Sequence, residues 1–141
     1  MRNRTRTAAA AAALLAATAA LTGAGRASAA PTGLYAPSAL VLTMAPGDGT
    51  DPDASVARAV TLSCAPAPSG THPAAADACA GLAASDGSFA GLRGDGRPCP
   101  AVAARVTVTA DGVWRGKRVS YRETFGNYCA VLTSRGTVFD F

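Results

Sequence analysis

Few side chains among these 141 residues are equipped for chemistry, and they form no catalytic pattern. There is one histidine, His72, and one glutamate, Glu123. A Ser/His or Cys/His pair would have to use His72, which stands just before Pro73 at an expected helix start, an ordinary place for a polar residue. No G-x-S-x-G elbow occurs, and no glycine-rich phosphate loop follows a strand pattern. Glu123, between Arg122 and Thr124, is expected in a cross-strand ion pair rather than a working carboxylate pair. The inventory argues against an enzyme and for a binder.

The four cysteines are Cys64, Cys79, Cys99 and Cys129. An even number in an exported chain reads as two disulfides, and spacing does not choose among the possible pairings. Joining neighbours would close loops of about 15 and 30 residues, each stabilising by roughly 3–4 kcal/mol. A metal site would need C-x-x-C-like spacing and more histidines, so no metal and no cofactor is expected. One stretch stands out: Arg97-Pro98-Cys99-Pro100-Ala101-Val102-Ala103-Ala104. A cysteine between two prolines, followed by small apolar residues, makes a stiff apolar loop suited to being gripped by a partner.

The elements that must hold this loop follow from pattern. Arg2, Arg4 and Arg6 precede an Ala/Leu run of about 14 residues, and Ala27-Ser28-Ala29 offers a small-x-small cleavage site. Residues 1–29 are therefore expected to be a secretory signal, with a secreted, extracellular chain from Ala30. That run is too short for a comfortable membrane span, and no later one reaches about 20 apolar residues. The formal charge of +4 then comes entirely from Arg2, Arg4, Arg6 and Arg26, leaving nine basic and nine acidic residues in 30–141. With no basic excess left, neither nucleic acid nor membrane is an expected partner.

Residues 30–141 suit one domain with a modest core. Residues 34–44 read as a strand with Leu40 and Leu42 on one face and Val41 on the other. Residues 45–55 form a Pro/Gly/Asp loop and 58–64 a second strand. After a Pro-rich connection at 65–70, Pro73 opens an Ala-rich helix through 84, with a short turn near 88–92. Alternation resumes at Val106 and Val108, Asp111-Gly112 signals a hairpin, and 118–125 return with Val119, Tyr121 and Phe125 in phase. Asn127 caps a short helix that stops near Gly136, and 137–141 read as a last strand. The result is α+β: an antiparallel sheet of about five strands with two short helices on one face.

Several of these stretches resemble the Streptomyces-type subtilisin inhibitor family. They are Leu34-Tyr35-Ala36-Pro37-Ser38-Ala39-Leu40-Val41-Leu42-Thr43, Arg58-Ala59-Val60-Thr61-Leu62, Cys64-Ala65-Pro66 and Pro68-Ser69-Gly70-Thr71-His72-Pro73-Ala74-Ala75. Asp111-Gly112-Val113-Trp114, Gly116-Lys117-Arg118-Val119-Ser120-Tyr121 and Val138-Phe139 continue the match to the end of the chain. The resemblance implies a subtilisin inhibitor-like domain over 30–141, pairing Cys64–Cys79 and Cys99–Cys129, and a homodimer formed through the sheets. It also implies inhibition of a subtilisin-like serine protease, with the reactive bond at Ala101-Val102 and loop contacts at Arg97, Pro98, Cys99, Pro100 and Ala103. Where the family commonly has methionine or lysine this chain has Ala101, which suits subtilisin-like or elastase-like enzymes. Where the family continues with Tyr-Asp-Pro, this chain has Ala103-Ala104-Arg105. That departure favours the alternative, a secreted interaction module that keeps the scaffold without inhibiting.

Overall fold

The computed structural model describes residues 36–50 and 55–141. The signal expected at 1–29 lies outside the described residues, as do the start of the 34–44 segment and the centre of the 45–55 loop. The chain runs β1 (Ala39–Pro46), β2 (Arg58–Ser63), β3 (Ser69–Gly70), α1 (Ala75–Ala84), β4 (Val106–Trp114), β5 (Lys117–Phe125) and α2 (Tyr128–Arg135). All neighbours pair antiparallel in the order β3-β2-β1-β4-β5. The expected α+β architecture of about five strands and two helices is what the described residues adopt.

Alternation explains the sheet. Leu40, Leu42 and Met44 of β1 are buried while Ala39 and Val41 face out. The register sets Leu42 opposite Val60 and Ala110, so one face collects apolar side chains from three strands. Ala78, Cys79 and Leu82 of α1, together with Val131 of α2, cover that face. Burying each large aliphatic or aromatic residue stabilises by roughly 1.5–3 kcal/mol. The disulfides are Cys64–Cys79 and Cys99–Cys129, with Cα separations of 5.5 and 5.7 Å, the pairing that the resemblance implied. The first ties the end of β2 to α1, and the second ties the proline-flanked loop to α2.

Four local expectations are corrected. Asp111-Gly112 does not turn; β4 runs through it, because a Cβ at Gly112 would lie 2.2 Å from the Ala39 carbonyl oxygen and only glycine lets β1 come so close. The hairpin turns instead at Arg115-Gly116, with φ of 46° and 78°, the doubly left-handed turn that matches strand twist. Residues 137–141 are not a strand. Gly136 (φ 62°) breaks the chain away from α2 into a 3-10 turn, Gly136–Phe139, that buries the consecutive pair Val138 and Phe139. A strand would have sent one of the two outward. The 65–70 connection contains β3, paired with β2 through Leu62–Gly70 and Ser63–Ser69. Finally, Glu123 pairs not across the sheet but with Arg135 of α2 (2.6 Å).

The helix expected from Pro73 starts at Ala75. No side chain of Ala74 can cap it, and the Ala74 N–H donates instead to His72 Nδ1 (3.1 Å). His72 Nε2 then donates to the Val138 carbonyl (3.2 Å), so the one histidine is buried with both ring nitrogens engaged in structure. Thr107, placed on the open face by alternation, is also buried. Its hydroxyl donates to the Gly47 carbonyl (2.9 Å) and meets the Thr124 hydroxyl at 2.8 Å beneath the β1–β2 loop.

Candidate functional site

Residues 92–105 cross from the core to β4 without regular secondary structure. Prolines 98 and 100 remove two backbone donors and fix φ, so neither helix nor ladder pairing is open to the stretch between them. Arg97, Pro98, Pro100, Ala101, Val102 and Ala103 are exposed, whereas Cys99 is half-buried against Cys129. Val102 is 60% exposed, a large apolar side chain offered to solvent. All seven candidate residues therefore lie on one outward segment anchored at its cysteine.

The segment is held by its own backbone and by one asparagine. Val102 N–H donates to the Pro100 carbonyl (2.8 Å) and Ala104 N–H to the Val102 carbonyl (3.1 Å), two successive i→i+2 bonds that bow the chain outward. Asn127 Nδ2 donates to the Pro100 carbonyl and to the Val102 carbonyl, both at 3.0 Å. These two carbonyls bracket the Ala101-Val102 peptide bond. Asn127 Oδ1 meanwhile accepts from Ala130 N–H (2.9 Å), capping α2. One side chain thus starts the helix and holds the loop on both sides of a single bond.

The flanks are also fastened. On the entering side, Gly96 N–H donates to the Thr133 carbonyl (3.2 Å), and a Cβ at Gly94 would lie 2.2 Å from the Leu132 carbonyl oxygen. On the far side, Ala104 N–H also donates to the Gly126 carbonyl (3.0 Å) and Gly47 N–H to the Arg105 carbonyl (2.8 Å). Arg105 reaches Asp48 at 3.5 Å and Arg97 reaches Asp95 at 3.1 Å, both exposed pairs of small energetic weight. Hydrogen bonds from Thr50 hold the Asp48 carboxyl below its ordinary range.

Behind α2 lies a partly buried polar cluster. Tyr121 donates to Glu123, while the Arg135 guanidinium donates to the Tyr121 hydroxyl (3.0 Å) and to Glu123 Oε2 (3.1 Å from Nε, 2.6 Å from Nη2). Burial, reinforced by Glu123, pushes the Tyr121 phenol up to about 12. Burial opposes ionisation of Glu123, but the bonds from Tyr121 and Arg135 outweigh it and hold that carboxyl below the usual range. Among the described residues no group of three or more His, Cys, Asp or Glu is placed to hold a metal. None of the described helices is long and apolar enough to cross a membrane.

Sequence reasoning assigned Asn127 to the helix cap and missed its grip on the loop. A signal was present: Asn127 stands two residues before Cys129, so a Cys99–Cys129 bond must carry it next to Pro100. The Gly96–Thr133 and Gly47–Arg105 contacts left no trace in local pattern, since each joins segments remote in the chain.

A family model described as subtilisin inhibitor-like matches residues 36–127. Subtilisin inhibitor-like protein 5 of Streptomyces fradiae is 55% identical over 108 residues, covering 76% of this chain and 100% of that relative. The subtilisin inhibitor of Streptomyces albogriseolus is 54% identical over 113 residues, covering 79% of this chain and 78% of its own. A crystal structure of Streptomyces caespitosus sermetstatin in complex with Bacillus licheniformis subtilisin is similar at a TM-score of 0.64 and 42% identity, covering 74% of this chain and 99% of that one. The family model spans more than half of the chain, and both named relatives are more than half identical over most of their length: this chain belongs to the subtilisin inhibitor-like family.

Proposed function

We propose that the protein is a secreted inhibitor of subtilisin-like serine proteases that presents residues 97–103 as a substrate and resists losing them. The observation that carries this reading is the Asn127 bracket around Ala101-Val102. In a protease cleft the attacking serine oxygen would bond to the Ala101 carbonyl carbon. The bond to the Val102 nitrogen would break, and that nitrogen would leave as an amine, taking the serine's proton through the protease's own general base. Here the Ala101 side is tied through Cys99–Cys129, and the Val102 side through the Val102, Ala104 and Arg105 backbone bonds. The amine therefore stays beside the acyl carbon at high effective concentration, and bond re-formation competes with hydrolysis. The names of the relatives and the subtilisin partner in the similar crystal structure support the same class of target.

The specificity position is Ala101, which suits subtilisin-like and, as a second class, elastase-like pockets. Titration of subtilisin with the purified protein should give stoichiometric inhibition; rapid irreversible cutting at Ala101-Val102 would refute the reading and favour a non-inhibitory module. Ala101→Met should tighten subtilisin binding by about 50-fold, since each of the three added methylene-sized groups contributes ~0.8 kcal/mol. Ala101→Lys should create trypsin inhibition, and a trypsin left untouched would mean that the reactive bond lies elsewhere.

Secretion through residues 1–29 and pairing of two copies through the open sheet face belong to the same proposal. That face carries small and hydroxylated residues, with Ala39, Val41 and Thr43 of β1 in register with Val113, Asp111 and Thr109 of β4. Val41 is 47% exposed there, a large apolar side chain offered to solvent. Sedimentation at micromolar concentration should give twice the chain mass, and a monomer mass would remove the dimer from the proposal.

A further inference from the structure

α2 is the strip on which the candidate loop lies, and its apolar contact with the core runs through Val131 and the half-buried Tyr128. It has eight residues, of which only Val131 is buried, and a helix this short is marginal alone. The loop touches it at both ends. Asn127 and Cys129 hold Pro100, Val102 and Cys99 at its start, and the Thr133 carbonyl holds Gly96 near its finish. A tilt of α2 would therefore move every one of these anchors together.

The Val131 and Tyr128 contacts both lie in the first half of α2; at its last turn, what opposes a tilt is a polar cluster. Arg135, with its side chain 14% exposed, forks onto Tyr121 and Glu123 of β5 and lies over the Phe125 ring at 5.3 Å. Tyr121 is itself fixed by stacking on Phe89, with ring centroids 5.2 Å apart. β5 belongs to the rigid sheet, so the cluster refers the helix to the sheet. Partly buried ion pairs add little net stability because desolvation offsets attraction, but their directional bonds define geometry.

We infer that Arg135 is a positioning residue for the candidate reactive loop, acting through α2; the inference rests on reading residues 97–103 as the protease-facing segment. Arg135 does not touch the loop's reactive bond. It sets how tightly Asn127 and Cys129 can hold that bond's two sides, and so the balance between re-forming and losing it.

The test compares Arg135→Met, Glu123→Gln and the exchanged pair Glu123→Arg/Arg135→Glu with the parent. Two readouts are used: the rate at which subtilisin hydrolyses Ala101-Val102 within the complex, and amide hydrogen exchange at Ala104 in the free protein. Both single variants should raise both rates about tenfold, the loss expected for a hydrogen bond to a charged group, and the exchanged pair should bring them back toward the parent. Thr71→Val serves as the control, since it removes the bonds that the Thr71 hydroxyl makes with Thr61 at the far sheet edge. It should lower the melting temperature without moving either rate. Unchanged rates in Arg135→Met overturn the inference, as does an equal rise in Thr71→Val. If the methionine variant does not fold, Arg135→Lys keeps the charge, loses the fork and reads the same way. A parent that fails to inhibit subtilisin would defeat the proposed function, while exchange at Ala104 would still judge the coupling.

Discussion

Asn127→Asp is expected to leave the fold standing and turn the inhibitor into a substrate. Aspartate caps a helix as well as asparagine and adds a favourable charge at the helix N-terminus. The Oδ1 bond from Ala130 N–H therefore survives. What is lost is the amide nitrogen that donates to the Pro100 and Val102 carbonyls at 3.0 Å each. A carboxylate oxygen in its place faces two carbonyl oxygens and repels both. Two bonds at about 1 kcal/mol each, plus that repulsion, correspond to an inhibition constant roughly 30- to 100-fold weaker. Inhibition kinetics and thermal melting check this together. The melting temperature should stay within a few degrees while cleavage at Ala101-Val102 becomes fast, and an unchanged inhibition constant would remove Asn127 from the mechanism.

The two disulfides should separate stability from resistance to cleavage. Cys99→Ser/Cys129→Ser opens a closure of 30 residues, and Cys64→Ser/Cys79→Ser one of 15. Chain entropy assigns about 3.6 kcal/mol to the longer closure and about 3 kcal/mol to the shorter. Each loss should lower the melting temperature by roughly 15 °C. Only the first should change the fate of a cut bond, because Cys99 is the covalent hold on the Ala101 side. After exposure to subtilisin, mass spectrometry should find the Cys99/Cys129 variant cut irreversibly and the Cys64/Cys79 variant still largely intact. Equal cutting of both would mean that global unfolding, rather than local tethering, exposes the bond.

How far such behaviour could be read from the chain alone depended on whether the cause was local. Leu40 and Leu42, or Val106 and Val108, announce strands because alternation is a property of neighbours. The stretch from Asn127 to Gly136 announces α2 because a cap and a left-handed stop act within one turn. Where the deciding partner is distant, the pattern misleads. Asp111-Gly112 has the composition of a turn, and only the Ala39 backbone lying against it shows why the glycine is there. Val138 and Phe139 look like the end of a strand until α1 and α2 are placed on either side of them. Glu123 has Arg122 next to it in sequence, yet its partner is Arg135, brought in by the fold of α2. The second role of Asn127 was hidden for the same reason, since its acceptors lie 25 and 27 residues away.

The bracket around Ala101-Val102 uses no side chain from the tip of the loop. Its acceptors are the carbonyls of Pro100 and Val102, and the neighbouring fastenings use the Ala104 amide and the Arg105 carbonyl. Shape and lettering are therefore independent at positions 101, 102 and 103. The same frame can carry another residue at each without being rebuilt, which also accounts for a far side written Ala103-Ala104-Arg105 without aromatic or proline. A randomised library at these three positions would vary the recognised protease while the scaffold beneath stayed constant, so the tip behaves as an exchangeable key on a fixed handle.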